Sequence, residues 1–192
     1  MIFDITRDGL ARVFGTDGVR PLPRAAVDAA GITGGTARFL TGTGLPHNDF
    51  VSFPDLTAPG ASFQSLSAPG LADTWNLPDT ADRWVFLGNF EISALVLDPA
   101  TGVIHQLAEG IMQAVPLHRD VSSLTATIVR LTELIRTLPE DIEDDDEALE
   151  HLEHTLDTFK QAITQRDPLP FASENSEWRE IITAIGAGMW RH

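Results

Sequence analysis

The chain has 192 residues and a formal net charge of −15, because 28 aspartate and glutamate residues outnumber 13 lysine and arginine residues. A length not far above the roughly 150 residues of one domain predicts a single domain over residues 1–192, and a 43% share of hydrophobic residues indicates a globular fold. The acidic balance argues against direct binding of nucleic acid or anionic lipid, and the lack of cysteine excludes disulfides, thiolate zinc sites and cysteine nucleophiles.

The N-terminal third predicts short elements separated by glycine and proline. Apolar residues fall on one face of a helix over residues 4–14, and a second helix is predicted over 33–41. Glycines and prolines between residues 15 and 23 indicate an irregular connection between the two helices. The apolar segment 50–53 predicts a short strand.

Residues 57–82 predict a long surface loop. They contain three prolines and two glycines among serine, threonine and aspartate residues. A loop of this length in a compact domain usually carries function or moves. It is therefore one candidate contact surface.

The first clear strands follow this loop. The sequence predicts strands over 84–87 and 90–97, with Gly88 and Asn89 between them. Residues 94–97 are apolar on both faces, which predicts an interior strand that is covered on two sides.

A tight turn is predicted at residues 98–102, which read Asp-Pro-Ala-Thr-Gly. Aspartate can accept bonds from the backbone of the bend, proline presets its own dihedral angle, and glycine supplies positive φ at the end. Residues 103–108 then return as the antiparallel partner strand, with His105 lining a sheet face, and 112–115 add a further strand.

The C-terminal half changes to a helical period. Apolar residues recur at alternating spacings of three and four from Val121 to Leu138 and again from Leu149 to Ile163. A last helix is predicted from Trp178 to Met189. Candidate N-caps are Asp120 or Ser122 for the first of these helices, and Asn175 or Ser176 for the last.

Nine carboxylates occur within the 14 residues of 140–153. Such a run is typical of a solvated helix face, and acids at a helix start are also favoured by the helix dipole. The alternative is that they face a basic partner and accelerate its association. Calcium binding by an EF-hand is not expected, because the segment lacks the required glycine. The candidate partner-binding residues are Asp141, Glu143, Asp144, Asp145, Asp146 and Glu147.

No motif for catalysis or cofactor binding is found. His151 and His154 stand three apart on one helix without a marked third ligand, so exposed histidines are expected in place of a metal site. Ser122 and Ser123 suit a helix cap better than a nucleophile, since no Gly-x-Ser-x-Gly motif occurs. The glycine-rich segment 31–35 lacks the lysine of a phosphate-binding loop. The chain is predicted to be no enzyme and to need no metal or cofactor.

The chain is expected to be a soluble cytoplasmic protein without membrane contact. Its first eight residues lack the basic start and apolar run of a secretory signal. No stretch approaches the ~20 apolar residues that a membrane-spanning helix needs.

Several short motifs, in order, resemble bacterial immunity proteins of the SUKH superfamily, and more narrowly the fourth SUKH group, which is common in Streptomyces and its relatives. The motifs are Phe39-Leu40-Thr41, Gly44-Leu45-Pro46, Leu87-Gly88, the hairpin from Ala94 to Val103, Ser122-Ser123-Leu124, Ser176-Glu177-Trp178, Ile181-Ile182 and Gly188-Met189. The resemblance covers about residues 30 to 190. The chain departs from it at Val121, where many relatives have asparagine, and in residues 140–163, which we interpret as an acidic helical elaboration.

The resemblance implies the SMI/KNR-like α+β fold, with a central, mostly antiparallel sheet flanked by helices and a helical C-terminal half. It also implies that the protein binds and neutralises a cognate toxin, commonly a nuclease or nucleic-acid deaminase, delivered between competing bacteria. Toxins that act on nucleic acid tend to have basic clefts, to which a chain of charge −15 is complementary.

Two other hypotheses belong to different functional classes. One is a non-catalytic intracellular regulatory or scaffold module on the same fold. The other is a small hydrolase, which only the pair of His151 and His154 favours. For the immunity hypothesis, the contact surface is expected on the acidic segment or on the 57–82 loop.

Overall fold

The computed structural model describes residues 1–58, 60–67, 75–108, 110–138 and 146–188, and in these ranges the chain is an α+β protein. Seven α-helices, a π-helical turn, a 3-10 helix and six strands are formed there. In chain order they are α1 (Arg7–Phe14), β1 (Val19–Arg20), α2 (Arg24–Ala29), α3 (Gly34–Arg38), the π turn (Phe39–Thr43), β2 (Leu45–Pro46), the 3-10 helix (Asp79–Arg83), β3 (Val85–Asn89), β4 (Ala94–Leu97), β5 (Ile104–Ala108), β6 (Gln113–His118), α4 (Val121–Ile135), α5 (Asp146–Thr164), α6 (Leu169–Ala172) and α7 (Glu177–Gly186).

The two predicted N-terminal helices are confirmed. Thr6 caps α1 by accepting a bond from Gly9 N at 3.1 Å, and α3 continues directly into the π turn. The short helix α2 was not predicted, because Pro23 was interpreted as a break. Proline directly before the first helical turn is compatible with a helix, since that turn needs no partner for its N–H.

The predicted strand over 50–53 is wrong. Only Ser52 pairs, in a single bridge with Asn89. The Asn48 side chain turns the chain just before it, because its Oδ1 accepts bonds from Phe50 N and Val51 N, each at 2.9 Å. This local turn competes with an extended strand.

The main sheet is a four-stranded antiparallel meander in the order β3-β4-β5-β6. As predicted, β4 is interior and covered on both faces. Leu95 and Leu97 join the large core on the helical side, and Val96 joins a smaller cluster on the other side. Strand β3 runs through Gly88 and Asn89, so the prediction that these two residues separate two strands is wrong.

The turn between β3 and β4 instead occupies residues 90–93, where Phe90 N donates to Ser93 O at 2.8 Å. The register of β3 against β4 shifts between Phe86 and Gly88, and β3 continues to Asn89, beyond residue 87 where the strand was predicted to end. Glycine permits this because a Cβ at residue 88 would lie 2.6 Å from Ser52 O.

The predicted turn at residues 98–102 is confirmed in detail. Ala100 N donates to Asp98 Oδ1 at 2.9 Å, and the Thr101 hydroxyl donates to Asp98 Oδ2 at 2.7 Å. Gly102 has a φ of 80°, the positive value that the sequence predicted.

The 57–82 loop is more closely attached to the sheet than its composition suggests. In the part that the structure describes, Leu66 is buried and its N donates to Trp84 O at 3.0 Å. Leu66 and Ala81 cover Trp84 and Val96 on the outer sheet face. Residue 59 and residues 68–74 of this loop lie outside the described residues.

The three long C-terminal helices are confirmed, and the short α6 was not predicted. Asp120 caps α4 by accepting a bond from Ser123 N at 3.0 Å, and Ser176 is the N-cap of α7. The predicted end of the last helix at Met189 lies outside the described residues. No helix among the described residues is both long and apolar enough to cross a membrane.

Candidate partner-binding surface

The acidic residues singled out by the sequence lie at the start of α5 or before it. The backbone of Asp146 and Glu147 forms the first turn of this helix. The other four, Asp141, Glu143, Asp144 and Asp145, lie outside the described residues. Their contribution to binding stays a prediction.

The described part of α5 separates an acidic outer face from an apolar inner face. Glu150, Glu153 and Asp157 are exposed. The buried residues are Leu152, Leu156, Phe159 and Ile163. Lys160 lies 2.5 Å from the Asp157 carboxylate and lowers the pKa of that group. The acidic character therefore continues along the solvent side of the helix.

His151 and His154 lie on this same outer face and are exposed. Across the described ranges, no group of three or more histidine and carboxylate side chains is placed to hold a metal ion.

His118, Ser123 and Asp167 meet in the core and have the residue types of a hydrolase triad. The Ser123 hydroxyl lies 3.0 Å from His118 Nδ1, and Asp167 Oδ2 lies 3.9 Å from the same nitrogen. A hydrolase triad needs serine and carboxylate on opposite ring nitrogens. All three side chains are also fully buried, so this serine hydroxyl is not accessible to a substrate.

Trp178 determines the protonation state of His118. Its indole Nε1–H donates to His118 Nε2 at 2.8 Å, and an indole nitrogen can only donate. His118 therefore carries its proton on Nδ1 and donates it to the Ser123 hydroxyl. Burial of the ring lowers the pKa of His118 to about 3, and a second proton would also break the bond from Trp178.

Asp120 joins the start of α4 to the N-terminal residues. Its Oδ1 accepts bonds from the Ser122 hydroxyl at 2.6 Å and from Ser123 N at 3.0 Å, and its Oδ2 accepts one from Ile2 N at 2.8 Å. Ser122 in turn accepts a bond from Phe3 N at 3.0 Å. Ser122 and Ser123 lie in the first turn of α4, behind the N-cap Asp120. The Ser122 hydroxyl bonds the cap carboxylate and the Ser123 hydroxyl bonds His118, so the prediction that these two serines are the cap residues is wrong.

Glu177, the first residue of α7, holds the β3–β4 turn. Its carboxylate accepts a short bond from the Ser93 hydroxyl and a 3.4 Å bond from Ile92 N, and Glu177 N donates to Gln106 Oε1 at 3.0 Å. Burial raises the pKa of Glu177, and repulsion from Glu180 and Glu91 adds to this effect. The turn is thus attached to both a helix and the sheet.

Two open grooves flank this turn and share Asn89, Phe90 and Glu91 as walls. The smaller, of about 310 Å³, also includes Asp49 and Glu177. The larger, of about 790 Å³, is lined mainly by apolar side chains from the sheet and from the loop that covers it. Ile92 lines the larger groove; it is 65% exposed and is the most exposed large hydrophobic side chain of the described residues.

Sequence reasoning missed this turn for an identifiable reason. Residues 90–93 read Phe-Glu-Ile-Ser, an alternation of apolar and polar side chains that is typical of a half-buried strand. The segment was accordingly predicted as the start of the 90–97 strand. No glycine, proline or asparagine marks the bend within these four residues.

Comparison with known proteins gives one family. A model of the SUKH-4 immunity protein family matches residues 5–184, which include every helix and strand up to most of α7. No curated protein and no solved structure matches the chain.

Proposed function

This chain belongs to the SUKH-4 immunity protein family, and from that membership we propose that it binds a cognate bacterial toxin and neutralises it by protein–protein contact. The family match over residues 5–184 is the observation that carries this proposal. In this role the protein acts without converting a substrate.

The proposed toxin is a nuclease or nucleic-acid deaminase, encountered in the cytoplasm. Enzymes of both classes hold a polyanion and therefore need a basic substrate cleft. A net charge of −15 suits a partner of that kind. Acidic charge alone also keeps a protein soluble, so the charge supports this toxin class only in combination with the family.

Binding to the toxin encoded beside the gene tests the proposal directly. The purified protein is expected to form a stable complex with that toxin domain, to inhibit its activity in vitro, and to protect cells that express it. An absence of both complex and protection would overturn the proposal.

The acidic segment is proposed to steer the toxin towards its site, through Asp141, Glu143, Asp144, Asp145, Asp146 and Glu147. Charges that attract a partner at a distance raise the association rate and have less effect on dissociation. Exchange of Asp141, Asp144 and Asp145 for asparagine is expected to slow association by about 3- to 10-fold at low salt and to flatten its salt dependence. Stopped-flow mixing at several salt concentrations measures both.

The matched control neutralises Asp4, Asp8 and Asp17, which are exposed near the N-terminus. It changes the net charge by the same amount at another place. If both triple variants slow association equally, the effect comes from the total charge, and the acidic segment has no special part in steering.

A further inference from the structure

We propose that the β3–β4 turn and the two grooves beside it form the contact that anchors the toxin, and that the occupant is a toxin segment with an apolar side chain flanked by arginine or lysine. This inference rests on the proposed function. We call residues 90–93 with Asp49 and Glu177 the turn surface.

The two ends of the sheet differ in the apolar side chains that they expose. In an antiparallel meander, the β3–β4 and β5–β6 turns lie at the same end, and the turn at 98–102 lies at the other. That other end packs on α3, where a Cβ at Gly102 would lie 3.1 Å from Thr36 Oγ1. At the end with the β3–β4 and β5–β6 turns, Ile92 is 65% exposed and Met112, in the β5–β6 turn, is 37% exposed.

These exposed apolar side chains are unusual for this molecule. Among the described residues, the other large hydrophobic side chain that is exposed is Met1 at the chain terminus. Exposed apolar groups that gather at one place mark interaction surfaces more often than scattered ones do. The end of the sheet that carries Ile92 and Met112 is therefore where the described structure exposes large apolar side chains away from the chain terminus.

The turn surface is also held in one conformation. Phe90 packs edge-on against Trp178 with ring centroids 5.0 Å apart. Ser93 and Ile92 N both donate to the Glu177 carboxylate. A side chain presented by such a turn loses little conformational entropy when a partner covers it, which favours tight binding.

The carboxylates beside the turn indicate which kind of partner segment would bind there. Asp49, Glu91 and Glu177 line the smaller groove, and none of the described residues that line either groove is basic. An arginine or lysine placed there would pair with the exposed carboxylates of Asp49 and Glu91 and would relieve the repulsion between Glu91 and Glu177. A nucleic acid or an anionic membrane would add to it. The combination of apolar and acidic groups therefore fits a basic protein segment with an apolar side chain.

Substitutions on the turn surface test the proposal with the purified toxin domain encoded beside the gene as probe. Ile92→Asn removes the apolar side chain without changing charge and is expected to raise the Kd about 10-fold or more, mainly through faster dissociation. Ile92→Val is expected to bind within about 3-fold of the unmodified protein. Glu91→Gln is expected to slow association by about 2- to 3-fold.

Two variants of similar chemistry serve as controls. Ala100→Asn changes an exposed residue in the turn at the opposite end of the sheet, and Glu133→Gln removes an exposed carboxylate on α4. Both are expected to bind like the unmodified protein. Thermal melting of each variant verifies that it is folded before binding is compared.

The outcomes separate this inference from the function on which it rests. If the unmodified protein binds the toxin and Ile92→Asn binds equally well, the turn surface is not the anchor, while the immunity function stands. If the unmodified protein binds no toxin, both proposals are wrong. A loss of binding that is equal in Ile92→Asn and Ala100→Asn would also overturn the assignment.

Discussion

His118 and Trp178 illustrate how burial decides the role of a polar side chain. Histidine often serves catalysis or metal binding. Here both ring nitrogens are used inside the core, one by an indole donor and the other by a serine hydroxyl. The residue therefore holds β6, α4 and α7 together in its neutral form.

This neutral form makes stability depend on pH. The pKa of His118 is about 3 in the folded protein and near 6.5 in the unfolded chain, so the unfolded chain takes up a proton first as the pH falls. The stabilisation that comes from the neutral His118 ring is complete above pH 6.5 and is lost progressively as the pH falls from 6.5 towards 3. In urea denaturation, His118 is expected to lower the free energy of unfolding by about 1.2 kcal/mol between pH 6 and pH 5.

The imidazole signals of His118 in NMR spectra provide the second measurement. They are expected to show a neutral ring with its proton on Nδ1 at pH 5. A folded protein in which this ring titrates near pH 6.5 would contradict the prediction.

Two buried tryptophans offer a matched comparison. The indole N–H of Trp178 donates to His118, whereas no described residue accepts a bond from Trp84 Nε1, whose ring stacks on His105 at 4.1 Å. Trp178→Phe leaves His118 Nε2 without a donor and is expected to cost about 1–3 kcal/mol more than Trp84→Phe. Chemical denaturation of both variants measures the difference, and equal losses would contradict this account.

At the level of elements, two of the motifs that resemble the SUKH family contain a glycine at a place where two backbone segments approach each other closely. The Gly-Leu-Pro step enters β2, which pairs with β1, and a Cβ at Gly44 would lie 2.6 Å from the carbonyl carbon of Arg20. The Leu-Gly step lies in β3, where Gly88 admits the backbone of Ser52. These two motifs therefore report on the fold.

Two neighbouring glycines test this explanation. Gly44 has a φ of 87° and contacts the backbone, whereas Gly42 lies in the π turn with open space around its Cβ position. Gly44→Ala is expected to cost at least about 1–3 kcal/mol from backbone strain, and Gly42→Ala is expected to be neutral or stabilising by up to about 1 kcal/mol. Thermal or urea denaturation distinguishes them. Similar losses in the two variants would contradict the role given to Gly44.

At the scale of the whole molecule, the acidic segment and the turn surface are proposed to act in different steps of toxin binding. The acidic segment before α5 and in its first turn is proposed to act at a distance, because electrostatic attraction extends over about 8 Å at physiological salt. The turn surface acts only on contact, because apolar burial requires that water be removed. The first should govern association and the second dissociation, which is why the two sets of variants are measured by rates and not by affinity alone.

The resemblance of the sequence to the SUKH family implied the α+β class. The sequence by itself determined the long helices α4, α5 and α7, the interior strand β4 and the turn at 98–102. These features depend on local periodicity and turn chemistry, and both can be recognised from residues that are close together in the sequence. The tertiary structure alone decided that Phe90–Ser93 is a turn, that His118, Ser123 and Asp167 form a closed core network, and that residue 52 makes only one bridge. Each of these depends on partners far away in the chain: Glu177 for the turn, Trp178 for the histidine and Asn89 for the bridge. Hydrogen bonds over such separations leave no periodic trace in the sequence, because burial and the position of the partner arise only when the chain has folded.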